Sequence, residues 1–170
     1  MPLCDTALRL AERGCYAPRW SAEIIEEARR NLVADGRCTE AVAALRFRRI
    51  AEHFEEAEVR GYEEIVRDLR CHEKDRHVFA AAIRGGAEQI VTQNLRDFPP
   101  ASVAPYAIEV VSPDDFLLNI LDLYPQTTLA VIEEQAAALR RPVREIQDVL
   151  RALSTTAAGF AREVEERLAR

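Results

Sequence analysis

The chain has 170 residues, of which 48% are hydrophobic and 31% are charged, and its formal net charge is -6. This length and apolar content predict one compact domain with a helical extension, and the acidic balance excludes a global electrostatic attraction to nucleic acid, so any RNA contact must be local. The four cysteines are widely spaced without a CxxC pair, no apolar run is long enough to cross a membrane, and no secretory signal is present, which favours a cytoplasmic protein with reduced thiols.

Helical periodicity dominates the N-terminal third of the chain. We expect a first helix capped by Asp5 and ended by Gly14, because a glycine at that position suits a left-handed C-terminal cap. A second helix is predicted to begin after Ser21, whose hydroxyl can accept a backbone hydrogen bond, and to end at Gly36.

Thr39 is the candidate cap of a third predicted helix. The predicted apolar face of this helix comprises Val42, Leu45, Ile50 and Phe54. A weak strand over residues 57–59 follows, and then a polar loop leads to Asp75.

An α/β unit is predicted between Asp75 and residue 111. Asp75 opens a helix, and Gly85 and Gly86 end it. The short apolar run 89–92 predicts a buried strand, and Ile108, Val110 and Val111 predict another short strand. Helix, glycine pair and strand in this order are typical of α/β proteins.

The C-terminal part of the chain is predicted to be helical from Ser112 onward, because a serine cap is followed by a proline at the first helical position. Breaks are expected near Pro142 and over residues 154–159. We therefore predict a core over residues 1–112 and a helical extension over residues 113–170. The apolar residues of this extension are predicted to pack on its own core or to bind a partner helix: Leu129, Ile132, Leu139, Ile146, Val149 and Leu150.

Two segments resemble a known family. Residues 74–99 read KDRHVFAAAIRGGAEQIVTQNLRDFP, and residues 20–27 read WSAEIIEE. Both are similar to the PIN-domain ribonucleases of the VapC toxin type. The resemblance implies an α/β fold with a parallel sheet flanked by helices, and an endoribonuclease that hydrolyses RNA as the toxin of a toxin-antitoxin pair.

Two carboxylates of this stretch are predicted to converge. Asp75 shares a helical stripe with apolar residues, and Asp97 follows a buried strand, where ligand sites of open α/β sheets form. Clustered carboxylates favour a hard cation such as Mg²⁺ or Mn²⁺, which can activate water near a phosphodiester. The resemblance adds Glu27 to these catalytic and metal-ligating acids, and it implies that Thr92 and Asn94 orient ligands or the scissile phosphate.

The same residues also have structural interpretations. Asp75 alone is a candidate helix cap, Asp97 a turn residue, and Glu27 one of several glutamates on a solvated face. His72 and His77 lack the spacing of metal ligands and are interpreted as structural or surface residues.

The chain departs from the family in two places. PIN domains open with an apolar strand that ends in aspartate, whereas only residues 1–4 precede the first helix here, so the first strand and the first acid lack counterparts. Lys74 lies in a loop where relatives often carry acids, and it lowers the local negative charge. We therefore expect weak metal binding, reduced nuclease activity, and a homodimer or segment exchange that covers the open sheet edge.

Two further interpretations stay open. The chain can be a non-catalytic, truncated PIN scaffold that acts as a dimerisation or antitoxin-binding protein. Alternatively, the coding sequence begins upstream, which would restore the complete enzyme. The sequence alone thus leaves open whether the chain is an active enzyme.

Overall fold

The computed structural model describes residues 2–138 and 145–169. In chain order the helices are α1 (Pro2–Glu12), α2 (Ala22–Ala34), α3 (Glu40–His53), α4 (Arg76–Arg84), α5 (Pro100–Val103), α6 (Pro113–Leu123), α7 (Pro125–Ala138), α8 (Ile146–Leu153) and α9 (Ala158–Leu168). The strands are β1 (Gln89–Val91) and β2 (Glu109–Val111), and short 3₁₀ turns connect several of these elements.

The chain divides into two compact units. The first unit comprises Met1–Ala17, Val91–Gln93 and Val111–Arg170, and the second comprises Pro18–Ile90 and Asn94–Val110. The division into a core over residues 1–112 and an extension over residues 113–170 stays a prediction. Within the described ranges, no helix combines the length and the apolar character needed to cross a membrane.

The two strands pair in parallel. The Glu109 amide donates to the Glu88 carbonyl at 2.9 Å, and the Thr92 amide donates to the Val111 carbonyl at 3.0 Å, so both strands advance in the same direction. This pairing confirms both predicted strands and the α/β fold class. Residues 57–59 form no strand: a 3₁₀ turn over Glu55–Ala57 is followed by an isolated parallel bridge between Trp20 and Glu58.

Two predicted helix starts are confirmed by their capping bonds. The Ser21 hydroxyl accepts from the Ile24 amide at 3.2 Å at the start of α2. The Ser112 hydroxyl likewise accepts from the Asp115 amide at 3.1 Å at the start of α6. Thr39 occupies the cap position of α3, but its side chain makes no capping bond.

Two predictions about the N-terminal helices are wrong. Asp5 lies inside α1, which begins at Pro2, and its carboxylate pairs with Arg9 at 3.1 Å instead of capping the helix. In α3 the buried residue is Ala43, whereas Val42 and Leu45 are 55% and 40% exposed. The sequence periodicity fits either stripe, and packing in the folded chain selects the one that contains alanine.

The first unit has a core of large apolar side chains. Its largest fully buried members include Phe160, Leu10, Leu117, Leu121, Ile132 and Leu153. Val149 and Leu150 are buried in the same core, so the C-terminal helices pack on their own unit. The break between α8 and α9 lies over residues 154–157, as predicted, whereas the predicted break near Pro142 and the apolar residue Leu139 lie outside the described residues.

The second unit is organised around α4. Four consecutive residues of this helix, Phe79 to Ala82, are buried, and Gly85 and Gly86 end the helix as predicted. The Phe79 ring packs edge-on against the rings of Phe98 and Tyr106, with centroid distances of 6.2 and 5.3 Å. These contacts hold the N-terminus of α4 close to the segment that follows β1.

Candidate functional site

Asp75 and Asp97 lie in two 3₁₀ turns, Glu73–Asp75 and Leu95–Asp97, that a backbone hydrogen bond connects. The His72 amide donates to the Asp97 carbonyl at 3.0 Å, and the Asp75 amide donates to the His72 carbonyl at 2.9 Å. The first turn is therefore fixed against the second. The structure thus brings together the two carboxylates that the sequence predicts to converge.

The ammonium group of Lys74 lies beside both carboxylates. Its Nζ is 3.1 Å from Asp97 Oδ2 and 3.9 Å from Asp75 Oδ2. The two acidic side chains are only about one-fifth exposed, at 20% and 21%, whereas the Lys74 side chain is 57% exposed. The sequence pattern indicates only that Lys74 reduces the local negative charge, but the structure makes it a direct partner of both acids.

The two carboxyl groups differ in their electrostatic environment. Burial raises the pKa of Asp75, and the neighbouring Asp97 charge raises it further, while the Lys74 ammonium opposes both effects. The hydrogen bond from Lys74 lowers the pKa of Asp97. The same hydrogen bond raises the pKa of Lys74, which therefore stays charged at neutral pH.

The structure does not support a helix cap as the role of the Asp75 side chain. Asp75 occupies the cap position of α4, but its side chain makes no capping bond. Its Oδ2 atom is buried and has no hydrogen-bond partner. Unpaired buried oxygen atoms are costly, and carboxylate oxygens are the ligands that hard cations prefer. The Lys74 ammonium group, 3.9 Å away, shows that a cation can lie beside this oxygen.

Glu27 has a separate partner, the imidazole of His77. The His77 Nε2 atom is 3.3 Å from Glu27 Oε2, and the His77 side chain is only 13% exposed. His77 is a second residue that the sequence pattern did not reveal, because α2 and α4 meet only in the folded chain. Among residues 2–138 and 145–169, no three His, Cys, Asp or Glu side chains are grouped closely enough to hold a metal ion.

Thr92 and Asn94 lie at the carboxyl end of β1, as predicted. The Thr92 amide continues the parallel ladder through its bond to Val111. The Asn94 carbonyl accepts from the Asp97 amide at 3.0 Å and so fixes the start of the second 3₁₀ turn. Asn94 thereby helps to position Asp97 through its backbone.

Comparisons with known proteins found two sequence similarities. A family profile described as the VapC50 C-terminal domain matches residues 113–166. A relative from Mycobacterium tuberculosis, named "Putative ribonuclease VapC50", is 45% identical over 101 residues, which are 59% of this chain and 60% of the relative. The chain thus spans less than two thirds of that relative's length. No solved structure matches the chain significantly.

Proposed function

We propose that this chain is a metal-dependent endoribonuclease of the VapC-type PIN family, on the basis of its similarity to the VapC50 relative and of its carboxylate geometry. RNA is the proposed substrate, and an antitoxin protein is the proposed partner, as for the toxin of a toxin-antitoxin pair. The observation that carries the proposal is the Asp75 and Asp97 carboxylate pair with a cationic group beside it. The four cysteines are free thiols, which fits the cytoplasm as the proposed compartment.

The proposed metal ion is Mg²⁺ or Mn²⁺, and Glu27, Asp75 and Asp97 are its proposed ligands. A divalent ion at these oxygens supplies charge neutralisation at the phosphodiester and activates a water molecule. Asp75 and Asp97 already lie side by side, and the otherwise unbonded Asp75 Oδ2 is available for a ligand. Thr92 and Asn94 are proposed to orient the ligands or the scissile phosphate from the end of β1.

The contact between His77 and Glu27 supports the proposed role of Glu27. The imidazole Nε2 atom of His77 lies 3.3 Å from the carboxylate of the half-exposed Glu27 side chain without forming a hydrogen bond to it. We infer that His77 is a positioning residue for Glu27. Residues of this kind typically change metal affinity or activity by about 10- to 100-fold when they are replaced.

The first test is RNA cleavage by the purified chain in Mg²⁺ or Mn²⁺, compared with Asp75→Asn and Asp97→Asn. We expect each substitution to lower the cleavage rate by about 100-fold or more, because each removes a ligand charge at the reacting phosphate. Asp35→Asn is the matched control, since Asp35 is exposed and pairs with Arg37 away from the 3₁₀ turns. Chelation of the metal should abolish cleavage by the parent chain.

Unchanged, chelator-sensitive cleavage by both site variants would place the chemistry elsewhere and contradict the proposal. A parent chain that cleaves no RNA but co-purifies with a partner would favour a second candidate, a non-catalytic scaffold that dimerises or binds an antitoxin. Two observations favour that candidate: Lys74 already neutralises part of the charge of the acid pair, and Val42 and Leu45 of α3 are exposed apolar residues. Light scattering of the purified chain distinguishes a homodimer from a monomer.

A further inference from the structure

Lys74 is the only lysine among the 23 basic residues of the chain, and the other 22 are arginines. A lysine ammonium is a compact point charge on a flexible stem, whereas an arginine guanidinium is a planar fork. The one lysine ammonium of the chain therefore lies next to the two carboxylates that are the proposed ligands of a compact divalent ion.

Backbone hydrogen bonds place the Lys74 ammonium group beside Asp75 and Asp97. Lys74 and Asp75 are neighbours in one 3₁₀ turn, and the bond from the His72 amide to the Asp97 carbonyl holds that turn against the second acid. The Lys74 side chain consequently reaches both carboxylates, at 3.1 and 3.9 Å. Asp75 Oδ2 has no hydrogen-bond partner, and the nitrogen atoms beside it are His72 Nδ1 at 3.8 Å and Lys74 Nζ at 3.9 Å.

We propose that the Lys74 ammonium is an internal cation of the acid pair, and that it must leave Asp75 and Asp97 before a divalent metal ion binds between them. This inference rests on the proposed function, because it assumes that these two carboxylates are metal ligands. It adds a regulatory contact to that site, because in the metal-free protein the Lys74 side chain occupies the position at which the metal ion would bind. Metal binding is then an exchange of one cation for another.

The exchange is feasible because Lys74 is more than half exposed and its stem is flexible. An exposed ion pair contributes little free energy. Breaking it therefore lowers the affinity for the metal ion by only about fivefold. Once displaced, the ammonium group remains tethered one residue from Asp75. It then lies within reach of an anionic substrate at the same site.

Lys74 offers a direct chemical test, because this lysine and the α-amino terminus are the only amines of the chain that a reagent such as acetic anhydride can acylate. Mass spectrometry of the peptide that contains residue 74 gives the acylation rate, and the α-amino group is the internal reference. We expect slow acylation of Lys74 without metal and about fivefold faster acylation in saturating Mn²⁺ at constant ionic strength. An acylation rate that does not change when Mn²⁺ saturates the protein would overturn the inference.

Calorimetric titration with Mn²⁺ separates this inference from the proposed function. We expect Lys74→Met to bind Mn²⁺ about fivefold more tightly than the parent chain, and Asp75→Asn to lose binding. Arg60→Met is the matched control, because it removes the same charge from an 81% exposed residue whose partner is Glu58.

Each outcome of the titration has one meaning. If Asp75→Asn abolishes binding while Lys74→Met behaves like the parent chain, the inference fails and the proposed metal site stands. If Asp75→Asn binds Mn²⁺ like the parent chain, or if no variant binds Mn²⁺, the proposed metal site fails and the inference fails with it. If Arg60→Met tightens binding as much as Lys74→Met, the effect is one of overall charge and the inference is overturned.

Discussion

Both units bury large side chains such as Phe160 and Phe79, but the two cores differ in how they use small residues. The first unit fills its interior with large side chains such as Phe160, Leu121 and Ile132, all fully buried. The second unit buries three consecutive alanines of α4 and places Gly85 against Val59. Large side chains give a core its bulk, whereas small residues let a helix backbone approach its neighbours closely. The unit that carries the carboxylates thus depends on close approach, which suits a site whose two turns must stay in register.

The large buried side chains of the first unit predict that its stability is sensitive to lost volume. Phe160→Ala should have the largest effect, because the ring is 0% exposed in the core of the first unit. We expect the free energy of unfolding to fall by about 3–5 kcal/mol. This loss combines the transfer free energy of the ring with the cost of the cavity that it leaves. Urea denaturation followed by circular dichroism measures this loss.

Leu123→Ala is the matched control within the same unit. Leu123 is 71% exposed, so removing its side chain leaves no cavity. Leu123→Ala should change the free energy of unfolding by no more than about 0.5 kcal/mol. Equal losses for the two variants would contradict the view that buried volume stabilises the first unit.

The second unit should instead be sensitive to added volume, even a single methyl group. A Cβ atom on Gly85 would lie 2.8 Å from Val59 Cγ2 and 3.0 Å from the Ala81 carbonyl oxygen, both closer than normal contacts. We therefore expect Gly85→Ala to lower the free energy of unfolding by about 1–3 kcal/mol. The same urea denaturation measures this loss.

A double-mutant cycle tests the cause of that loss. Val59→Ala removes the closest side-chain atom, so it should recover part of the stability lost in Gly85→Ala. Purely additive effects of Gly85→Ala and Val59→Ala would show that the clash with Val59 is not responsible.

Much of this architecture could be predicted from local sequence signals. Ser21, Ser112 and the Gly85-Gly86 pair act within a few residues of their own position, and the structure confirms each of them. The inward face of α3 could not be predicted, because Ala43 and Val42 both fit a helical stripe and only the neighbouring elements decide between them. Local chemistry therefore predicts where elements begin and end better than which face they bury.

The same limit applies to the site. The convergence of Asp75 and Asp97 follows from helix and strand order, and the structure places these carboxyl groups together. The contacts of Lys74 and His77 depend on a turn geometry and a helix crossing that no local pattern encodes. Sequence order thus predicts which acids meet, whereas only the folded chain reveals which basic side chains lie beside them.

The smallest expected effect concerns the first unit and depends on pH. Tyr16 donates a hydrogen bond to the Ala7 carbonyl at 2.9 Å, and its ring packs edge-on against Phe116. The substitution Tyr16→Phe should lower the free energy of unfolding by about 1 kcal/mol at pH 7, because that hydrogen bond is lost. Burial raises the pKa of Tyr16 well above its ordinary value.

A raised phenol pKa means that the folded state keeps its proton after the unfolded state has lost it. The resulting stability is complete below about pH 10, the ordinary pKa of tyrosine, and declines as pH rises beyond that value. Tyr16→Phe lacks this decline, so the difference between the two proteins should narrow between pH 9 and pH 11, as measured by urea midpoints at each pH. A constant difference across that range would show that burial of the Tyr16 phenol does not couple the stability of the first unit to pH.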